Sequence, residues 1–280
     1  MKFGFYTLGC KVNQYETQAM EQFLLDRGHT IGNFNEPCDG YIINTCSVTA
    51  VADRKNRTVI RRCRRENPDA ILGICGCYSQ HAPDALWELG ADVIGGSGGR
   101  EAFISDMLEA LETRQKHQRV DKALARREFE VLPAGGLEER TRAMLKVQDG
   151  CCNFCTYCII PYTRGPVRSA PVELAVQQAK ELSEKGYREI VITGIEIASW
   201  GVDLPGKPQL AELGIHSKMR LCGYAHLPLF PPSRHPRGQN ARSAGQCHQG
   251  SQKPRGHRGG SGNEKRFLPE PARLFPGGSV

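Results

Sequence analysis

Four of the chain's twelve cysteines fall in one short stretch, "DGCCNFCTYCIIPYTRGPVRS", residues 149–169. Cys151, Cys155 and Cys158 make the pattern C-x3-C-x2-C. Thiolates at this spacing bind a soft metal or an iron–sulfur group. A structural zinc needs a closed shell of four ligands, and Cys152 makes an awkward fourth because it would ligate beside its own neighbour. Three thiolates from one short loop suit a [4Fe-4S] cluster, with one iron left open to a substrate or cofactor. A zinc or purely structural site is the other reading of the same residues.

The elements that must position these sulfurs alternate between strand-like and helix-like patterns. "KFGFYTLGC" precedes an amphipathic stretch, Gln14–Asp26, and "GYIINTC" precedes a basic one, Ala50–Glu66. "AILGICGC" leads to Gln80–Leu89, and "ADVIGG" to Glu101–Leu111. Repeated β-α units of this length predict an α/β fold, an open parallel sheet flanked by helices over residues 1–112. Three of the strands end in a cysteine: Cys10, Cys46 and Cys77. Ligand sites in open α/β sheets lie at the carboxyl ends of strands, so these distant sulfurs are expected to meet at one edge.

Residues 113–140 are charged, end in Pro-Ala-Gly-Gly and read as a linker. A second α/β segment, 141–213, follows: strand "AMLKVQDGC", a helix from Pro171 that stops at Gly186, and strand "EIVITGIE". From 214 to 280 the composition changes. Residues 215–280 hold ten Gly, eight Pro and five of the eight His, with no period of 2 or 3.6. That predicts a disordered tail, read either as a native low-complexity segment or as the product of a lost reading frame near 214.

The net charge of +7 invites a nucleic-acid reading, but residues 215–280 alone carry +9, so the rest is slightly acidic. The basic balance therefore says nothing about the folded part. No run approaches the roughly 18 to 20 apolar residues of a membrane span. The N-terminus turns polar too soon for a secretory signal. A soluble, cytoplasmic protein is expected, and in a reducing compartment its cysteines point to metal binding or catalysis rather than disulfides.

With Tyr157 before the last cysteine, "CTYCIIPYTRGPVRS" resembles the radical S-adenosylmethionine (SAM) enzymes, and within them the methylthiotransferases. "LGCKVNQYE", "NTCSV" and "GCYSQ" are similar to that branch's N-terminal domain. The resemblance covers residues 1 to about 213. It implies two [4Fe-4S] clusters, one on Cys151, Cys155 and Cys158 for radical generation from SAM, the other on Cys10, Cys46 and Cys77 for sulfur delivery. It implies the start of a partial β/α barrel after the linker, with Tyr157, Gly194 and Glu196 near SAM. "LGCKVNQYET" and "IIPYTRGPVRS" look like the enzymes that convert N6-threonylcarbamoyladenosine at tRNA position 37 to its 2-methylthio derivative. The alternatives are isopentenyladenosine tRNA, a ribosomal protein, or a non-catalytic zinc- and RNA-binding protein. A tRNA substrate and an electron donor such as a flavodoxin or ferredoxin follow from the resemblance. Further barrel strands and the C-terminal RNA-binding β-barrel of full members are not recognisable here, which leaves the activity of this chain an open expectation.

Lesser signals carry bland readings beside sharper ones. Cys152 reads as a bystander, Cys75 as core, and Cys38 and Cys63 as buried small hydrophobes. Arg54, Lys55, Arg57, Arg61, Arg62, Arg64 and Arg65 make either a solvated helix face or a contact to tRNA phosphates. Arg164 and Arg168 read either as partners of anionic groups of substrate or cofactor or as solvent-facing. Ala170 stands where the family usually has Arg, and "GGSGG" at 95–99 lacks the residues of a P-loop.

Overall fold

The computed structural model describes residues 1–133 and 142–216. The elements run β1 (Lys2–Thr7), α1 (Lys11–Asp26), β2 (Thr30–Gly32), β3 (Gly40–Thr45), α2 (Ala50–Glu66), β4 (Ile71–Gly76), α3 (Cys77–His81), α4 (Asp84–Glu88), β5 (Val93–Gly95), α5 (Arg100–Thr113) and β6 (His117–Arg119). All six strands are parallel, in the order β2-β1-β3-β4-β5-β6.

The strand residues divide by parity, as the two-residue period of a strand requires. Phe3, Ile42, Ile71, Cys75 and Val93 pack with Met20 and Leu24 of α1 and Phe103, Ile104 and Met107 of α5. Tyr41, Ile43, Leu72, Ile74 and Ile94 pack with Ile60 and Cys63 of α2 and with Leu86 of α4. Both faces are covered, which is why these strands are continuous apolar runs rather than alternating ones. Cys75 and Cys63 sit in these two cores, as expected from sequence.

The described residues continue as β7 (Arg142–Lys146), β8 (Gln148–Asp149), α6 (Ile160–Arg164), β9 (Arg168–Ser169), α7 (Val172–Glu184), β10 (Glu189–Thr193) and α8 (Leu210–His216). β7 and β10 pair in parallel around α7, the start of a β/α repeat. β8 and β9 form a short antiparallel pair. Ala143, Leu145, Val147, Ala170, Ala179, Leu182 and Trp200 make this segment's core.

Three expectations change. The helix expected over Gln80–Leu89 is two short ones, because Pro83 lacks an N–H and pushes Ala82 out of the helical region (φ −136, ψ 59). Residues 113–140 are not only a linker. His117–Arg119 pairs with β5 as an edge strand, and Leu132 is buried, its carbonyl accepting from Tyr15 Oη (3.0 Å) and Gln178 Nε2 (2.8 Å). The second edge strand, β2, was not anticipated either, so the N-terminal sheet has six strands, not four. The disordered-tail reading of 214–280 lies outside the described residues, apart from the end of α8.

Candidate functional site: two cysteine triads joined by one helix

The first triad stands at the carboxyl edge of the N-terminal sheet, as its sequence positions predict. Cys10 caps α1, Cys46 follows β3 directly, and Cys77 opens α3 at the end of β4. β1, β3 and β4 are adjacent, and Thr45 pairs with Gly76, so Cys46 and Cys77 each lie one residue beyond a register pair. Gly76 makes the turn into α3 at φ +105, where a Cβ would fall 2.3 Å from the Thr45 carbonyl oxygen. Cys10 is exposed, whereas Cys46 and Cys77 are buried.

Buried asparagines hold this edge. Asn13 Nδ2 donates to the carbonyls of Leu8 (3.0 Å) and Thr45 (2.9 Å), and its Oδ1 accepts from Cys10 Sγ at 3.4 Å. Asn44 Nδ2 reaches back to the Asn13 carbonyl (3.0 Å), and Asn56 Nδ2 donates to the Cys46 carbonyl (2.6 Å). These side chains satisfy backbone groups that the loops leave without ladder partners. Sequence reasoning passed over them, although an Asn inside the apolar run "GYIINTC" was a usable signal.

The second triad lies in the loop after β8. Cys151 is buried and its N–H donates to the Gly165 carbonyl at 3.0 Å. Cys158 N donates to the Cys155 carbonyl at 2.9 Å, and Cys155 itself is exposed. Phe154, between them, takes a left-handed φ of 46. Cys152 Sγ accepts from the Val167 N–H at 3.5 Å. Tyr157 is 90% exposed. Glu196 and Gly194 follow β10, with the Glu196 N–H donating to Gln148 Oε1 at 2.8 Å. Burial pushes the Cys151 thiol up, and the Glu196 carboxylate and Cys158 beside it add to that. Burial likewise raises Cys46, with Cys77 and Cys10 adding to the shift and Arg164 opposing it.

Arg164 and Arg168 correct the sequence reading, since neither faces solvent nor an open cleft. Both are buried in a network of charged groups where the two halves of the chain meet. Glu16 of α1 accepts from Arg100 Nη2 of α5 (2.6 Å), from Arg164 Nη1 and, at 3.5 Å, from Lys146 Nζ of β7. Asp149 takes Lys146 at 3.2 Å and Arg168 at 3.4 Å. Burial alone pushes Glu16 up, but the Arg100, Arg164 and Lys146 cations outweigh it and carry it down to about 2. Asp149 is driven well below the carboxylate range by Lys146, Arg164 and Arg168, against its own burial. Of the basic residues on α2, Arg64 is structural, donating to the Gly90, Pro68 and Ala70 carbonyls and pairing with Asp92. Arg54, Lys55, Arg61 and Arg65 stay exposed.

Each triad offers three free thiols, a donor set that fits an iron–sulfur cluster. Among the described residues, the group of His, Cys, Asp and Glu ligand atoms gathered within 4.8 Å of one another is Asp106, Glu109 and His117, and Arg119 already grips Asp106. Arg164 Nε is also a buried donor with no hydrogen-bond partner.

Residues 2–96 match the family described as uncharacterized protein family UPF0004, and residues 145–202 match the radical SAM superfamily. The threonylcarbamoyladenosine tRNA methylthiotransferase MtaB of Bacillus subtilis is 43% identical over 202 residues, covering 72% of this chain and 45% of that protein. The chain belongs to the radical SAM methylthiotransferases. Two other relatives carry different names. The tRNA-2-methylthio-N(6)-dimethylallyladenosine synthase of Carboxydothermus hydrogenoformans is 35% identical, with 74% of this chain and 48% of that protein covered. The ribosomal protein uS12 methylthiotransferase RimO of a Synechococcus strain is 32% identical, with 81% and 47% covered. The chain spans about half the length of the curated relatives it matches. No helix among its described residues is long and apolar enough to cross a membrane.

Proposed function

We propose that this chain serves the 2-methylthiolation of N6-threonylcarbamoyladenosine at tRNA position 37, with a [4Fe-4S] cluster at each cysteine triad. The observation that carries the reading is the pair of triads on one packed body, one at the edge of the six-stranded sheet and one on the loop after β8. Cys151, Cys155 and Cys158 hold the cluster that leaves one iron open to SAM, with Tyr157, Gly194 and Glu196 beside the cofactor. Cys10, Cys46 and Cys77 hold the second cluster. When bound, the first cluster and SAM supply a carbon radical strong enough to take hydrogen from an aromatic carbon that no ordinary base activates. The chain's own part is positional: the Gly165 carbonyl fixes the backbone of Cys151, and Gln148 fixes the turn that carries Glu196. An electron donor such as a flavodoxin or ferredoxin completes the proposal. The threonylcarbamoyl substrate is favoured over the alternatives by "LGCKVNQYET" and by the higher identity to the relative of that name.

Anaerobic reconstitution tests the sites. Two three-cysteine clusters take up about eight iron atoms per chain. Cys155→Ala and Cys46→Ala should each remove about half, and Cys152→Ala none. Stoichiometric zinc without sulfide would overturn the cluster assignment. Nucleoside mass spectrometry after incubation with SAM and reductant tests the substrate: a 2-methylthio group on isopentenyladenosine or on a ribosomal protein, rather than on threonylcarbamoyladenosine, would overturn it.

A further inference from the structure

Residues 164 and 165 touch both cysteine sites. The Gly165 carbonyl accepts the Cys151 N–H at 3.0 Å. From the preceding residue, Arg164 Nη2 donates to Asn13 Oδ1 at 2.8 Å, the same oxygen that accepts from Cys10 Sγ. Asn13 in turn holds the carbonyls before Cys10 and Cys46. α6, which ends at Arg164, packs against α3, which opens at Cys77. The thiols and this cation therefore share one buried region.

The charges there do not balance. Arg100, Lys146, Arg164 and Arg168 are all buried, against two equally buried carboxylates, Glu16 and Asp149. Glu130, half-buried, accepts from the Arg100 backbone N–H at 2.6 Å and offsets part of the excess. Arg164 Nε is left with no acceptor. Uncompensated buried charge is costly. A [4Fe-4S] core held by three thiolates carries net negative charge, which complements this excess.

We infer that Arg164 is a positioning residue for the N-terminal cysteine site, anchoring the Cys10 loop through Asn13 and setting a buried cation against the helix that Cys77 opens, from the radical loop's own helix. This rests on the proposal that Cys10, Cys46 and Cys77 hold a cluster. The consequence is that one dipeptide, 164–165, sets the two sites relative to each other. It also makes the N-terminal cluster easier to reduce than its three thiolates alone would allow, because each added electron is placed beside a buried cation.

The test uses the full chain carrying Cys155→Ala, so that the N-terminal cluster alone remains, and reads its midpoint potential by redox titration followed by electron paramagnetic resonance. Absence of iron in this parent would refute the cluster assignment itself and not the role of Arg164. With iron present, Arg164→Gln should shift the midpoint to a more negative potential, while Arg164→Lys, which keeps the charge, should restore most of the shift. Arg100→Gln is the control: it removes an equally buried partner of Glu16 whose neighbours are Cys75 and Glu130 rather than the triad, so it should destabilise the fold without moving the potential. An unchanged midpoint in Arg164→Gln, or an equal shift in Arg100→Gln, would overturn the inference. Should Arg164→Gln fail to fold, Asn13→Asp decides. It places an anion 2.8 Å from Arg164 and must lower the midpoint; no shift there would be equally decisive against the role.

Discussion

Cys10, Cys46 and Cys77 come from three strand ends of an open six-stranded sheet, whereas Cys151, Cys155 and Cys158 come from a single loop. The first set depends on long-range order. Its loops are tied by Asn13, Asn44 and Asn56, all fully buried, and two of its thiols are buried with them. The second set is local: its backbone bends through a left-handed Phe154 and leaves Cys155 exposed. Bringing distant residues together has an entropic cost that the sheet has already met on folding, so the N-terminal site should keep its shape without metal. The radical loop has fewer internal ties, and metal binding there couples to local ordering.

The comparison is broken most severely at the network that joins the two regions. Glu16→Ala would leave Arg100, Arg164 and Lys146 facing each other without their shared carboxylate. Removing one partner of a buried ion pair costs about 3–5 kcal/mol, and three cations depend on this one. Urea unfolding should show a loss in that range or outright failure to fold, and both iron sites should go together. Acid has the same target. Because the folded-state pKa of Glu16 is depressed to about 2, its contribution is fully present above its unfolded value, roughly 4.3, and is lost as pH falls from there toward 2. Stability should therefore decline with acid across that window in the parent and much less steeply in Glu16→Gln.

That network also marks the limit of what the sequence disclosed. The parallel α/β alternation, the cysteines at strand ends, the helix Ala50–Glu66 and the stop at Gly186 were legible, because apolar periodicity and helix punctuation are local signals. Strands β2 and β6 escaped: each has three residues and partly exposed positions, and "HQR" has no apolar pattern at all. Glu16 and Arg100 lie on helices where a charged residue ordinarily faces water, so nothing local distinguished them. Lys146 was the available clue, a charge inside the apolar strand "AMLKVQDGC", and Asp149 three residues on is its partner. Which cation meets which carboxylate is a property of the docked halves and not of any one segment.

A middle-sized effect separates the triads from each other. Gly150 sits at φ +76, and a Cβ there would fall 1.9 Å from the Pro166 carbonyl oxygen. Gly150→Ala must push the start of the radical loop away from the chain beyond α6, at a strain of about 1–3 kcal/mol. Reconstituted protein should lose about half its iron and keep the N-terminal cluster, recognised because a further Cys46→Ala then removes the rest. Loss of both clusters from Gly150→Ala alone would show that the N-terminal site is not independently ordered.

The smallest effects belong to cysteines that serve neither triad. Cys63 lies among Ile60, Leu72 and Leu86, and burial pushes its thiol up to about 12. Cys75 lies against Met20, with its thiol raised to about 11 by burial. The thiolate is the reactive form, so both should resist alkylation in the folded, metal-free chain, while exposed Cys155 and Cys10 are labelled first. Peptide mass spectrometry after timed iodoacetamide treatment resolves the sites individually, including Cys222 and Cys247 in the tail. Cys63→Ala and Cys75→Ala should leave iron content unchanged and cost about 1 kcal/mol, the scale of a small core truncation. Cys75 is the sharper case, because it stands two residues from Cys77 on the same strand end. If Cys75→Ala lowered iron by as much as Cys77→Ala, the ligand set at that edge would have to be redrawn with Cys75 in it.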